Sequence, residues 1–411
     1  MSAAEVKPAT EPKPTGRRTT LALVSGAHAV NHAYVPLMPL IWARMMVAIG
    51  MTFTQLGWMV GITNIVGGVL QLWFGGMSRV FKRKDLLGMG SIVAGVTTGA
   101  TAGSANFAQV LWLRIFNRVG GAPQHPCGNS IIAEQFEKKD RGKALGFNNA
   151  AAQVGMVIAP MATAFLLDRF DWRWTLVIYS LPAIIIGIMM MTMIREKPKV
   201  RTGGLKVSDF GIPIKDLKAY FRDRNILGLT GAQLFAAGGR GIGVILTYVP
   251  LYLIKELNYD NWQVGILVTC LTVASVIGPL GFGSLSDRFG RKNVLLFTYG
   301  FSTISTIFLA FQTQQTLLIP VILFVMGLVI YAESPLQQAW MSDVTDDKTR
   351  DINFGIYFTI GYGAGALWGP VTGWMVDNKG FQFAFIVMAL SYVAGALCLL
   401  PARERSSDQK S

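Results

Sequence analysis

Gly283-Ser284-Leu285-Ser286-Asp287-Arg288-Phe289-Gly290-Arg291-Lys292 is a short basic loop between two long apolar runs. Gly75-Gly76-Met77-Ser78-Arg79-Val80-Phe81-Lys82-Arg83-Lys84 repeats its outline 208 residues earlier. Working outward, Tyr34-Val35-Pro36-Leu37 returns as Tyr248-Val249-Pro250-Leu251 at an offset of 214, while His125-Pro126 returns as Ser334-Pro335 and Asp168 as Asp377, both at 209. Matches in one order at a nearly constant offset predict a duplicated unit. In membrane proteins built that way, a solute site lies between the halves near mid-membrane.

The apolar runs fit that setting. Charged residues make up 15% of the 411, against roughly 25% in an ordinary soluble domain, which argues against a water-soluble enzyme. A helix crosses the hydrocarbon core with about 20 apolar residues. Candidates fall near 20–43, 55–77, 86–105, 108–133, 143–167, 174–194, 225–254, 262–284, 293–312, 316–341, 353–376 and 380–401. The expectation is therefore an all-α integral membrane protein with twelve transmembrane helices in two six-helix bundles. Residues 1–18 form a polar, proline-rich tail, 19–194 the first bundle, 195–224 a basic linker, 225–401 the second bundle and 402–411 a second tail.

Of the 37 Lys and Arg, 29 fall on the side holding both termini and five on the other. The positive-inside rule then predicts cytoplasmic termini in a multi-pass protein of the cell membrane. The net charge of +14 does not point to nucleic acid, because the cations sit in short gaps between apolar runs rather than on a soluble basic face. Cys127, Cys270 and Cys398 lie far apart with no CxxC spacing, so neither a disulfide framework nor a zinc site is expected from them.

Gly283, Asp287, Arg288, Gly290 and Arg291, followed by Lys292, resemble the signature loop of the major facilitator superfamily, and the twelve spans extend the resemblance over nearly the whole chain. The resemblance implies two bundles rocking about a central cavity, with this loop as a gating element. The first copy departs from the pattern, carrying Arg79 in place of the Asp and Lys82 in place of the Gly. Arg118-Val119-Gly120-Gly121-Ala122-Pro123-Gln124-His125-Pro126, with Asn31-His32 and Tyr34 on span one, is similar to the fosmidomycin-resistance-type branch of exporters. Gly365-x-x-x-Gly369-Pro370-x-x-Gly373 on span eleven and its imperfect twin Gly155-x-x-x-Ala159-Pro160 on span five resemble an antiporter motif. They read equally as close helix packing beside a proline break.

Ionisable residues deep in a membrane are costly and hence functional candidates. Here they are His28, His32, Arg114, Arg118, His125, Arg240 and Glu333. At offset 209 Glu333 matches Gln124, the neighbour of His125, so Glu333 and His125, with His28, are the expected proton-coupling groups. The competing reading makes Glu333 a structural counter-charge. Three deep Arg against one Glu call for a compensating anion, and the planar guanidinium suits a carboxylate. Arg118 and Arg240, aided by Asn31, His32, Tyr34 and Gln233, are the expected substrate ligands. His28 and His32 share a helix face at i, i+4, which suits chelation, but span one offers no third ligand, so no metal is expected.

No Walker, nucleophile-elbow or His-Glu-x-x-His motif occurs, so no enzyme activity and no cofactor are expected. The expected partners are a small anionic solute, the proton and the lipid bilayer. Two rivals share the fold: a broader proton-driven drug or toxic-metabolite efflux antiporter, and a non-transporting sensor on a transporter scaffold.

Overall fold

The structure, a computed structural model, describes residues 16–78, 81–196, 218–240, 242–346 and 349–404, without the side chains of residues 71, 72, 75, 76, 138, 240, 242, 243 and 351. The 195–224 linker, Arg79, residues 1–15 and residues 405–411 thus lie wholly or largely outside the described residues.

In chain order the helices are α1 (Arg17–Ile49), α2 (Phe53–Met77), α3 (Arg83–Thr101), α4 (Phe107–Gly121), α5 (Gln124–Gln135), α6 (Lys138–Arg169), α7 (Trp172–Met193), α8 (Arg224–Arg240), α9 (Ile242–Lys255), α10 (Asn261–Phe289), α11 (Arg291–Ala310), α12 (Leu318–Val344) and α13 (Arg350–Leu399). Among the described residues nine helical segments are long and apolar enough to cross a membrane. The twelve spans arise because α4 with α5 make one broken span, α8 with α9 make one span, and α13 contains two. Gly380, at φ +82°, interrupts α13 with a backbone conformation that glycine adopts without strain. Helix α1 starts at Arg17, so the first helix takes in the last two residues of the expected tail.

Local chemistry fixes the other ends. Gly50 closes α1 in the left-handed conformation, the Asn106 side chain accepts from the Gln109 amide at the start of α4, and Asp260 with Gln263 forms a capping box on α10. Each satisfies backbone groups that a helix terminus leaves without an intrahelical partner. Proline 123 stands where α4 gives way to α5, and because it lacks an N–H it cannot extend the α4 hydrogen-bond ladder.

In the first half α1 packs on α6 and α3 on α4 and α7; in the second α8 packs on α13, α10 on α12, and α11 on both α12 and α13. The seam between the halves is built by α2 against α13 and by α6 against α10, with α1 against α9. It obeys the repeat. A Cβ at Gly57 would lie 2.2 Å from the carbonyl oxygen of Gly369, and one at Gly265, 208 residues on, would lie 3.2 Å from that of Pro160 in the twin motif. The Gly369-Pro370-x-x-Gly373 pattern therefore packs against α2, with a Cβ at Gly373 falling 2.1 Å from the carbonyl oxygen of Phe53.

On the face opposite the termini, polar contacts lock this seam. The Asp377 carboxylate accepts from the amides of Phe53 (3.0 Å) and Thr54 (2.7 Å) and from the Thr54 hydroxyl (2.6 Å). Its repeat partner Asp168 accepts from Asn261 Nδ2 at 2.9 Å. The Tyr248 hydroxyl lies within donating distance of the carbonyl oxygen of Phe53 across the seam (3.3 Å) and of Gly369 in its own half (3.1 Å). A carboxylate on a first helical turn stabilises it by about 1 kcal/mol. Asp377→Ala is expected to loosen the closed seam by that amount, increasing about fivefold the rate at which a cysteine at Gln55 is labelled from that face. An unchanged rate would remove the latch.

Candidate functional site

The polar residues within the membrane form two groups, one in each half. In the first, the i, i+4 geometry of α1 brings His28 and His32 together with ring centroids 4.7 Å apart. The α4–α5 break swings His125 beside them, 5.0 Å from His28 and 6.0 Å from His32. These are all three histidines of the chain. His28 Nδ1 lies 3.1 Å from the carbonyl oxygen of Asn148 on α6. Such a contact requires Nδ1 to carry the proton and leaves Nε2 as a lone-pair donor. Burial grades from His28, fully enclosed, through His32 to the exposed His125. No metal is expected from the sequence because span one offers no third ligand, and α5 supplies a third imidazole beside the two on α1.

Arg118, at the end of α4, is exposed and donates to Asn64 Oδ1 on α2 at 3.2 Å. It lies within electrostatic reach of His32 and His125 in its own half and of Tyr362 in the other. Gly67 lets the guanidinium lie close against α2, since a Cβ there would come 3.1 Å from its Nε. No carboxylate pairs with Arg118 among the described residues. Arg114, one turn earlier, lies near Tyr34 instead.

Asn31 and Tyr34 lie successively further round α1 from the histidines and line a narrow crevice with Ser91, Ala94 and Ala183. Tyr34 is 5% exposed and donates to the carbonyl oxygen of Tyr179 on α7 at 3.1 Å. Asn31 packs against the end of α4, 2.9 Å from where a Cβ on Gly121 would stand. Both residues join helices of the first half.

The second group is a buried chain of side chains. The Tyr357 hydroxyl lies between Gln233 Oε1 (3.0 Å) and Gln337 Oε1, and the Gln337 amide donates to the Tyr299 hydroxyl. Glu333, fully buried on α12, accepts from the Ser302 hydroxyl at 2.7 Å. Gln233 thus belongs to a network spanning α8, α11, α12 and α13. The structure does not join the expected proton pair: His125 groups with His28, His32 and Arg118, and Glu333 belongs to the other half. The Arg240 side chain lies outside the described residues.

Sequence reasoning passed over Asn64, Asn148, Tyr357, Tyr362, Gln337 and Ser302, because uncharged polar residues in apolar helices carry little signal. One signal did exist: Tyr357 is Asn148 displaced by 209 residues, and each engages a polar residue of its half's first span, Gln233 and His28 respectively.

The signature loop holds each bundle together. In the second copy Arg291 bridges Asp287 (2.6 Å) and Asp343 on α12 (3.3 Å), and Lys292 Nζ donates to the carbonyl oxygens of Leu400 (2.6 Å) and Ala402 (2.7 Å). Glu404 accepts from the Lys292 amide. The first copy reproduces this at 208 to 209 residues: Arg83 pairs with Glu134, Lys84 Nζ donates to Met191 (2.8 Å), and Glu196 accepts from the Lys84 amide (3.1 Å). Gly290, at φ +89°, makes the turn. Asp287 is engaged by Arg291 of its own loop, so the described contact is local rather than a bridge to the other half. Arg288 lies over the Phe289 ring, and Gly283 has open space around it.

Comparison with known proteins agrees with this architecture. A family model for the Major Facilitator Superfamily matches residues 21–264 and 232–411. A putative metabolite transport protein of Haemophilus influenzae is 26% identical over 352 residues, covering 82% of this chain and 83% of that protein. The D-galactonate transporter of Escherichia coli O6:H1 is 23% identical over 384 residues, covering 85% of each. The crystal structure of a D-xylose-proton symporter superposes with a TM-score of 0.76 at 16% identity, covering 95% of this chain and 99% of that one.

Proposed function

Since this chain belongs to the major facilitator superfamily, whose members it resembles along its length are transporters and not enzymes, we propose that it carries a small organic anion by alternating access, coupled to protons. The observation carrying this reading is Arg118, a guanidinium inside the membrane region whose described hydrogen-bond partner is a neutral Asn64. An exposed guanidinium with no carboxylate paired to it among the described residues can take an anion, and a carboxylate matches its fork with two parallel hydrogen bonds. The galactonate name of one relative is consistent with an acidic solute. Arg240 is the proposed counterpart from the second half, with His32 and Gln233 as polar neighbours.

With the termini cytoplasmic, as the distribution of Lys and Arg favours, the latch of Asp377 and Asp168 seals the outer face, and solute enters or leaves from the cytoplasm in this state. Binding of the anion at Arg118 draws the halves together around it, and proton transfer at Glu333, with His125 and His28, sets the direction. A thermal-shift screen of sugar acids and other carboxylates, followed by counterflow in proteoliposomes, tests the solute class. Neutral drugs that stabilise the protein where no acid does would favour the efflux reading. Absence of all flux would favour a sensor.

Glu333→Gln tests the coupling. The variant is expected to retain solute counterflow, which needs no net proton movement, and to lose proton-driven accumulation at least about tenfold, since the amide keeps the shape but cannot titrate. Intact accumulation would remove Glu333 from the coupling path.

A further inference from the structure

We infer that His28, His32 and His125 form a three-imidazole site for a divalent transition-metal ion, open on one side toward Arg118, where an anionic oxygen completes the coordination. The ligand nitrogens of the three rings all lie within 4.8 Å of one another. Metal–nitrogen bonds of about 2.0–2.1 Å in a tetrahedral site put such nitrogens about 3.3 Å apart. Closing that gap requires a small movement, and His125, exposed and just past the α4–α5 break, has room to make it.

The state of the rings supports this independently of their spacing. His28 is 2% exposed, and its Nδ1 contact with the Asn148 carbonyl fixes Nε2 as the lone-pair nitrogen. A ligating histidine commonly donates its other ring N–H to a backbone carbonyl in this way, which orients the ring and raises its basicity. Nε2 of His28 and Nδ1 of His32 are both buried with no hydrogen-bond partner. Buried polar atoms are normally satisfied, and a metal ion satisfies these two nitrogens together.

The donor set chooses the ion. Three neutral imidazoles without a carboxylate suit Zn2+, Co2+, Ni2+ or Cu2+ rather than the oxygen-seeking Mg2+ or Ca2+. Three histidines with a vacant fourth position is also the form of a site that accepts an exchangeable ligand. Arg118 opposes a bare dication, and an anion on the metal facing the guanidinium removes that conflict. Because ligating histidines must be unprotonated, metal and protons compete for the cluster.

The test uses the full chain, purified through a tag that contains no histidine, and titrated with Co2+ in detergent without added solute. Wild type is expected to develop the visible absorption of four-coordinate Co2+, displaced by Zn2+, and to gain thermal stability with Zn2+. His125→Ala, the exposed and least disruptive change, is expected to weaken Co2+ binding at least about tenfold and abolish the Zn2+ stabilisation; His32→Ala should do likewise. X-ray absorption on the Zn2+ form should show three imidazoles. A wild type that neither colours with Co2+ nor responds to Zn2+, or that binds them as well as His125→Ala does, overturns the proposal. Since no solute is present, its failure leaves the anion-transport reading standing, and failure of that reading leaves the metal site standing.

Discussion

Arg118→Gln is expected to lower counterflow of the anionic solute at least about 100-fold while leaving the protein folded. A hydrogen bond to a charged group contributes about 1.5–3 kcal/mol, and a forked carboxylate contact makes two. Losing about 3 kcal/mol is a factor above 100 at 1.4 kcal/mol per tenfold. Arg118 is exposed and bonded only to Asn64 among its described side-chain hydrogen bonds, so its removal strands one neutral amide and costs the fold little. Arg118→Lys keeps the charge but not the planar fork and should fall between, about tenfold down. Counterflow in proteoliposomes and ligand-induced thermal shift should change in parallel. A Gln variant that transports the anion normally would end the anion-site proposal.

The second large effect is mechanical. Gly57→Leu places a Cβ 2.2 Å from the carbonyl oxygen of Gly369 and 2.7 Å from the Pro370 Cα, both main-chain atoms that cannot swing aside. The seam between α2 and α13 then cannot close, and a transporter lacking one of its two closed states does not turn over. Flux is expected to fall at least about 100-fold, because overpacking that costs about 3 kcal/mol disfavours one state by that factor. Gly300→Ala on α11, where a Cβ meets nothing within 4 Å, should leave flux unchanged. A Gly57→Leu protein with normal flux would show that α2 and α13 separate too little in the cycle for their contact to matter.

How far these features could be read from the chain depends on their range. The repeat, the apolar runs and the Gly283–Lys292 loop are patterns along the chain, and the structure places helices wherever the apolar runs fall. The pairing of Asp168 with Asp377 was visible as an offset, but its meaning was not. Each reaches across to the start of a helix in the opposite half, Asn261 and Phe53, and such contacts depend on how bundles dock rather than on spacing. The histidines show the same limit: the i, i+4 pair is legible, yet His125 joins it only because α4 stops near Pro123 and α5 sets off beside α1. The expected partnership of Glu333 with His125 followed the symmetry of the repeat; symmetry equates positions in two halves and does not bring them into contact. The Tyr34 contact was hidden for a simpler reason, since the carbonyl oxygen of Tyr179 on α7 that its hydroxyl reaches leaves no trace in spacing.

The lysines that follow each signature loop carry a consequence for motion. Lys84 and Lys292 each fasten the start of the third span of their half to carbonyl oxygens at the end of its sixth. Third and sixth spans buckled at that edge are tied to tilt together as the bundle rocks, with less of the motion lost in bending one helix against the other. Loosening either buckle would yield a softer carrier that binds its cargo normally and delivers it inefficiently.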